Sequence, residues 1–334
     1  MQMRALVLIL AAAFLAAWSE AAGLETTQPA TTRAAAHRVA ASQPATVPTF
    51  TRKQDVVYGR AWGTALTMDV FTPTHREPNG AAVIVVVSGG WVSSHDSIGS
   101  PFIDLFLRPF LNRGYTVLAV VLGSQPKYTI PEIASHIDRA VRYIRSQADG
   151  LKIDPQRIGI TGGSAGGHLS LLQATSPAPA KRLGLDPVER VSGAVQAAAV
   201  FFPPTDFLNW EKPGNNVLDA PLIKPFRAAF DYDELNGEGR FERIGDAQRI
   251  GDLLKQTSPA HHVTRQTPPT LIVHGDKDVL VPLQQAEIFI EKCREAGVTC
   301  ELIVREGAGH GWFNMQADLE RFADWFDKHL EPKM

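Results

Sequence analysis

The chain has 334 residues and a formal net charge of −2, with 44% apolar and 20% charged residues. A near-neutral chain without a basic stripe argues against nucleic acid as the main partner. Two cysteines, Cys293 and Cys300, are too few for a disulfide scaffold and leave open both a bridge between them and two half-buried thiols.

The chain opens with Arg4, an apolar run over 5–18, and the small residues Ser19 and Ala21. This pattern predicts a secretory signal peptide over residues 1–22. The run is short for a membrane span, which needs about 20 apolar residues; an uncleaved anchor is the rival reading. The expected location is periplasmic or extracellular, without stable membrane insertion after cleavage. Residues 23–49 are mostly Thr, Ala, Gln and Pro. They lack the apolar side chains needed for a core, which predicts a disordered linker. The folded domain is expected over 50–334, a length that lets one domain hide roughly three quarters of its unfolded surface.

Two extended runs begin it, "QDVVYG" and "ALTMDVFTP", the second alternating through Leu66, Met68 and Val70. "AAVIVVVSGGW" contains an unbroken apolar run, expected for a strand covered on both faces. "PFIDLFLRPFLNRG" predicts a helix stopped at Gly114, and "YTVLAVVLG" another buried strand. In "IPEIASHIDRAVRYIRSQAD", Ile133, Ile137, Val141 and Ile144 line one helical face, with Pro131 suited to the first turn. "RIGIT" is a strand leading into a glycine-serine turn, and "GHLSLLQA" restarts a helix. "SGAVQAAAVFF", "PTLIVHG" and "CELIVRE" follow as strands, interleaved with helices at "LQQAEIFIEKCREAG" and "ADLERFADWFDKHL". Alternating strands and helices predict an α/β fold, a mostly parallel sheet with helices on both faces. The segment over about 203–259 breaks the rhythm and is expected as an inserted lid.

Gly162-Gly163-Ser164-Ala165-Gly166 fits the G-x-S-x-G pattern, with a strand before and a helix after. Such a turn presents the serine hydroxyl at a helix N-terminus, where backbone N–H groups favour negative charge. Two later loops offer partners in the order this pattern requires. "LIVHGDKDVLVP" contains Asp276 and Asp278, and "REGAGHGWF" contains His310. Gly89 and Gly90, after the early buried strand, can present backbone N–H groups beside that of Ala165, the arrangement of an oxyanion hole.

With those parts in place, residues 55–330 resemble the α/β-hydrolases, and most closely the esterase/lipase group related to hormone-sensitive lipase and feruloyl esterases. The resemblance rests on "VSGGW", "IDPQRIGITGGSAGGHLSLL", "FFPPTDF", "SPAHHV", "PPTLIVHGDKDVLVP" and "GAGHGW". It implies Ser164 as nucleophile, His310 as base and Asp278, rather than Asp276, as the acid. It also implies Gly89, Gly90 and Ala165 as oxyanion donors, with no metal or organic cofactor. The implied activity is that of a serine carboxylesterase acting on short acyl or aryl esters, including acetyl or feruloyl groups on carbohydrate. One departure stands out: the group's His-Gly-Gly-Gly is here Val87-Ser88-Gly89-Gly90, so the hydrogen bonds supporting that loop must differ.

Other candidates read as structural. His168, His274, His261 and His262 are expected to pack or cap, and their spacing makes no zinc set. His95 and Asp96 are expected in a polar turn, with the pocket lining as the alternative, and Asp206 as a turn cap, with a contact at the lid's base as the alternative. Trp91 is expected beside the site as a substrate contact, with a core aromatic as the alternative. Phe207, Trp210, Phe226, Phe230 and Tyr232 are candidates for an acyl or aromatic wall, with packing of the lid's own underside as the alternative. The rival activities are a peptidase of the prolyl-oligopeptidase type, which usually carries a propeller domain this chain has no room for, and a binding module on an inactive hydrolase fold, which predicts a missing triad member.

Overall fold

The computed structural model describes residues 49–99 and 101–332. The expected signal peptide and all of the linker but Thr49 lie outside the described residues. Strands β1 (Phe50–Ala61) and β2 (Thr64–Pro73) form an antiparallel hairpin. Then come β3 (Ala82–Val87), α1 (Pro101–Asn112), β4 (Thr116–Val121), α2 (Ile130–Ser146), the single turn α3 (Ala148–Leu151), β5 (Ile158–Gly163), α4 (Ala165–Thr175) and β6 (Ala197–Phe201). The insertion carries a small hairpin, β7 (Asp233–Leu235) and β8 (Phe241–Arg243), and α5 (Ala247–Gln256). The chain ends with β9 (Thr270–Gly275), α6 (Leu283–Ala296), β10 (Cys300–Arg305) and α7 (Met315–His329).

Eight strands form one sheet in the order β1-β2-β4-β3-β5-β6-β9-β10. All neighbours from β4 to β10 pair in parallel, and β2 is antiparallel to both β1 and β4. The fold is that of an α/β-hydrolase. Along β3 successive side chains enter opposite layers, as a pleated strand requires. Ala82, Ile84 and Val86 join the layer under α2, α4 and α6, whereas Val83, Val85 and Val87 join the layer under α1 and α7. Covered on both faces, β3 is buried throughout and reads as an unbroken apolar run. In α2 the expected stripe of Ile133, Ile137, Val141 and Ile144 is buried, and Thr129 with Glu132 closes a capping box at its start.

From β3 the chain runs outward to β4, then returns to place β5 on the other side of β3. In open α/β sheets, the carboxyl ends of the strands that flank such a reversal, here β3 and β5, are where ligands are held. Residues 203–259 are tied to the body of the domain. Phe207, Trp210, Val217, Ile223, Phe230 and Leu254 are buried in the same core as the sheet. Gln285 of α6, itself fully buried, accepts from the Thr205 and Asp206 amides with its Oε1 and donates to the Asn209 carbonyl. Both cysteines are free thiols; a hydrogen bond with the Cys300 thiol, together with burial, pushes the Cys293 thiol's pKa up. Among the described residues no helix is long and apolar enough to cross a membrane.

Candidate active site

β5 delivers Ser164 to a turn in which the serine adopts φ 54° and ψ −122°. A non-glycine residue at positive φ is strained, and such strain persists only where the surroundings impose it. Here they do. The Ser164 amide donates to the Phe201 carbonyl of β6, and its own carbonyl accepts from His168 in the first turn of α4. The turn closes only because two neighbours lack side chains: a Cβ on Gly162 would lie 2.6 Å from the Gly166 carbonyl group, and one on Gly166 would lie 2.7 Å from the Val86 carbonyl oxygen. Ser164 thus stands at the N-terminus of α4, where the helix dipole favours developing negative charge.

Loops separated by long stretches of sequence converge on it. His310, after β10, has Nε2 2.9 Å from Ser164 Oγ and Nδ1 2.7 Å from Asp278 Oδ2. The serine hydroxyl donates to Nε2 and Nδ1–H donates to the carboxylate, which assigns the tautomer. Asp278, after β9, is buried, and its other oxygen accepts from the Leu280 and Val281 amides at 2.9 Å each. His274 adds a longer contact of 3.4 Å to Oδ2 while donating to the Val281 carbonyl at 2.8 Å. Burial on its own would raise the Asp278 pKa, but the bonds from His274 and His310, the His310 charge and the Val281 amide together hold it well below the usual carboxylate range. Asp276 serves elsewhere: its Oδ1 accepts from Gly307, bracing the loop that carries His310.

The glycine loop after β3 is a two-residue hairpin turn. Gly89 and Val92 exchange two backbone hydrogen bonds of 3.0 Å, and Gly90 and Trp91 between them have φ 56° and 59°. Positive φ at both central positions is the mark of a type I′ turn. This corrects one expectation, because the Gly89 N–H is already committed to Val92. The amides of Gly90, Trp91 and Ala165 have no partner among the described residues. The turn lies against the elbow, since the Gly166 amide donates to the Ser88 carbonyl next to it at 3.2 Å.

Trp91 is also corrected as a substrate contact. Its side chain is only 2% exposed and packs among Phe207, Phe226 and Phe230. Its indole donates to Nδ1 of His168, whose Nε2–H donates in turn to the Thr257 carbonyl. Burial lowers the His168 pKa from 6.5 to about 4 despite the Thr257 bond, so this histidine is a neutral brace between the glycine turn, α4 and the end of α5. Of the aromatic candidates, Phe207, Trp210, Phe230 and Tyr232 are core, while Phe226 is half-buried against Gly90. Asp206 caps its own turn through Leu208 and pairs with His261, and His262 bonds the Gln256 carbonyl. His95 bonds Thr67 and lies near Asp55 and Asp69, but Arg52 already neutralises buried Asp69.

Two contributors went unnoticed in the sequence. Phe202, at φ 34°, lays its ring 4.3 Å from that of His310. Gln125 reaches back to the glycine turn, its Nε2 2.6 Å from the Gly90 carbonyl. "FFPPTDF" offered a weak hint of the first, whereas nothing in "GSQPKY" announced the second.

Comparison with known proteins places the chain in a family. The BD-FAE family model matches residues 68–293. Esterase LipQ of Mycobacterium tuberculosis is 27% identical over 79% of the chain and 58% of its own length. Acetylxylan esterase of Xylanibacter ruminicola is 26% identical over 77% of the chain and 48% of its own length. The chain therefore spans about half the length of such curated relatives. Among solved structures, the butyrate-bound esterase Est2 of Thermogutta terrifontis superposes with a TM-score of 0.63 at 26% identity, covering 86% of this chain and 97% of that one.

Proposed function

Because the chain belongs to the BD-FAE family of α/β-hydrolases, we propose that it is a serine carboxylesterase acting on short acyl or aryl esters, including acetyl or feruloyl groups on carbohydrate. The observation that carries this reading is the unbroken hydrogen-bonded chain from Ser164 through His310 to Asp278. In this reading, Ser164 Oγ attacks the ester carbonyl as its proton passes to His310 Nε2. Asp278, kept ionised by its hydrogen bonds, holds the imidazole in the right tautomer and stabilises the imidazolium. The amides of Gly90 and Ala165 receive the oxyanion, a contribution of about 3 kcal/mol per donor. His310 then protonates the leaving alcohol, and a water activated by the same nitrogen releases the acid. Apart from the hydrolytic water, every part required is a protein group, and no step calls on a metal or organic cofactor.

The carbohydrate ester as substrate is supported by the acetylxylan esterase relative. Export to the periplasm or exterior is supported by the apolar leader over 1–22. The test is hydrolysis of p-nitrophenyl esters of rising chain length beside acetylated xylan, with wild type and Ser164→Ala in parallel. The expected result is activity highest at acetate or butyrate and abolished in the variant. Turnover retained in purified, folded Ser164→Ala overturns the assignment.

A further inference from the structure

The glycine turn lacks the histidine that begins the related His-Gly-Gly-Gly motif, yet it holds two successive residues at positive φ, one of them a tryptophan. Something must impose that conformation. Two carbonyls of the turn are tied to one residue of the loop after β4. Gln125 Nε2 donates to the Gly90 carbonyl at 2.6 Å, and the Gln125 amide donates to the Trp91 carbonyl at 3.1 Å. The two loops are stitched again next door, where Ser124 Oγ accepts from the Ser93 amide and donates to the Ser93 carbonyl. Gln125 is only 8% exposed, so water is a poor substitute for its carboxamide.

A planar trans peptide points its C=O and N–H in opposite directions. The bond from Val92 to the Gly89 carbonyl therefore sets the direction of the Gly90 N–H. The bond from Gln125 to the Gly90 carbonyl likewise sets the direction of the Trp91 N–H. We infer that Gln125 is the positioning residue of the oxyanion hole: its carboxamide keeps the Gly90 carbonyl turned away from the developing oxyanion and so directs the Trp91 amide toward it as a donor beside Gly90 and Ala165. If that peptide rotates, a carbonyl oxygen replaces a donor and opposes the negative charge. The carboxamide thus supports the turn from a different loop.

This inference rests on the esterase reading, and the experiment separates the two. Wild type, Ser164→Ala, Gln125→Leu and Gln125→Glu are assayed on p-nitrophenyl acetate across pH. Affinity is measured for a trifluoromethyl ketone, which adds to a serine hydroxyl and leaves an oxyanion. Loss of a well-placed donor lowers kcat by about a hundredfold or more. Gln125→Leu is expected to lose about that factor in kcat with little change in KM, and to bind the ketone more weakly by a similar factor. In Gln125→Glu the carboxylate cannot donate but the protonated acid can, so the ratio of its kcat to that of wild type rises as pH falls. A merely structural role predicts neither the matched ketone loss nor the rising ratio. A folded Gln125→Leu with wild-type kcat, or a Gln125→Glu ratio independent of pH, overturns the inference alone. A folded wild type that neither hydrolyses esters nor binds the ketone overturns the esterase reading and the inference with it.

Discussion

Replacing Asp278 by Asn tests the proton path with almost no change of shape. In the native site Oδ1 accepts from the Leu280 and Val281 amides, and Oδ2 accepts from His310 and faces His274. An asparagine can offer its oxygen to only one of these sides. Two backbone amides at 2.9 Å outweigh the side-chain contacts, so the NH₂ group turns toward His310. It then donates to Nδ1, which forces the proton onto Nε2, and Nε2 can no longer accept from Ser164 Oγ. The wrong tautomer costs about four powers of ten in kcat, equivalent to about 5.5 kcal/mol of transition-state stabilisation. Steady-state hydrolysis of p-nitrophenyl acetate at neutral pH reads this directly, with circular dichroism to verify folding. Asp276→Asn is the matched control: its amide oxygen still accepts from Gly307, so activity stays within about twofold, the usual range for a surface change near 0.5 kcal/mol. An active Asp278→Asn, or an inactive but folded Asp276→Asn, refutes the assignment of the acid.

Two further outcomes follow from the surroundings of the site. His168 titrates near 4 in the folded protein against 6.5 as its ordinary value; the unfolded chain therefore binds a proton that the folded chain refuses. Its contribution to stability is full above about pH 6.5 and declines as pH falls to about 4, by roughly 3 kcal/mol. Denaturant melts of wild type and His168→Gln across this window should show the difference between them narrowing on acidification, and a constant difference would contradict the neutral brace. Phe226 lies where a Cβ on Gly90 would come within 2.4 Å of its ring, so it bounds the space beside the glycine turn. Phe226→Ala should raise the kcat/KM ratio of octanoate to acetate about tenfold, the worth of about two buried methylenes; an unchanged chain-length profile would place the acyl group elsewhere.

Much of the architecture was legible because its signals are local. The apolar run of β3, the stripe on α2 and the strand-turn-helix around Ser164 each follow from steric and burial rules acting within a dozen residues. The antiparallel start of the sheet was less legible: β1 and β2 carry a half-buried alternation that does not state the direction of pairing. Trp91 misled for a physical reason. An aromatic beside a glycine turn has two ways to go, and its side chain turned inward because His168 and three phenylalanines complete a pocket for it. Gly89 misled because a glycine's freedom says nothing of where its amide is spent, and here the amide closes a hairpin with Val92.

By itself, then, the sequence determined the order of strands and helices, the identity of the elbow serine and the loops that carry its partners, since each depends on residue type and spacing along one segment. Tertiary structure decided which of Asp276 and Asp278 meets His310, which amides of the glycine turn remain free, and that Gln125 holds that turn. His310 lies 146 residues from Ser164 and 32 from Asp278, and Gln125 lies 35 from Gly90. Contacts at such separations exist only once the strands stack in their sheet order, because a hydrogen bond is won or lost over a few tenths of an ångström, a scale that spacing along the chain does not encode.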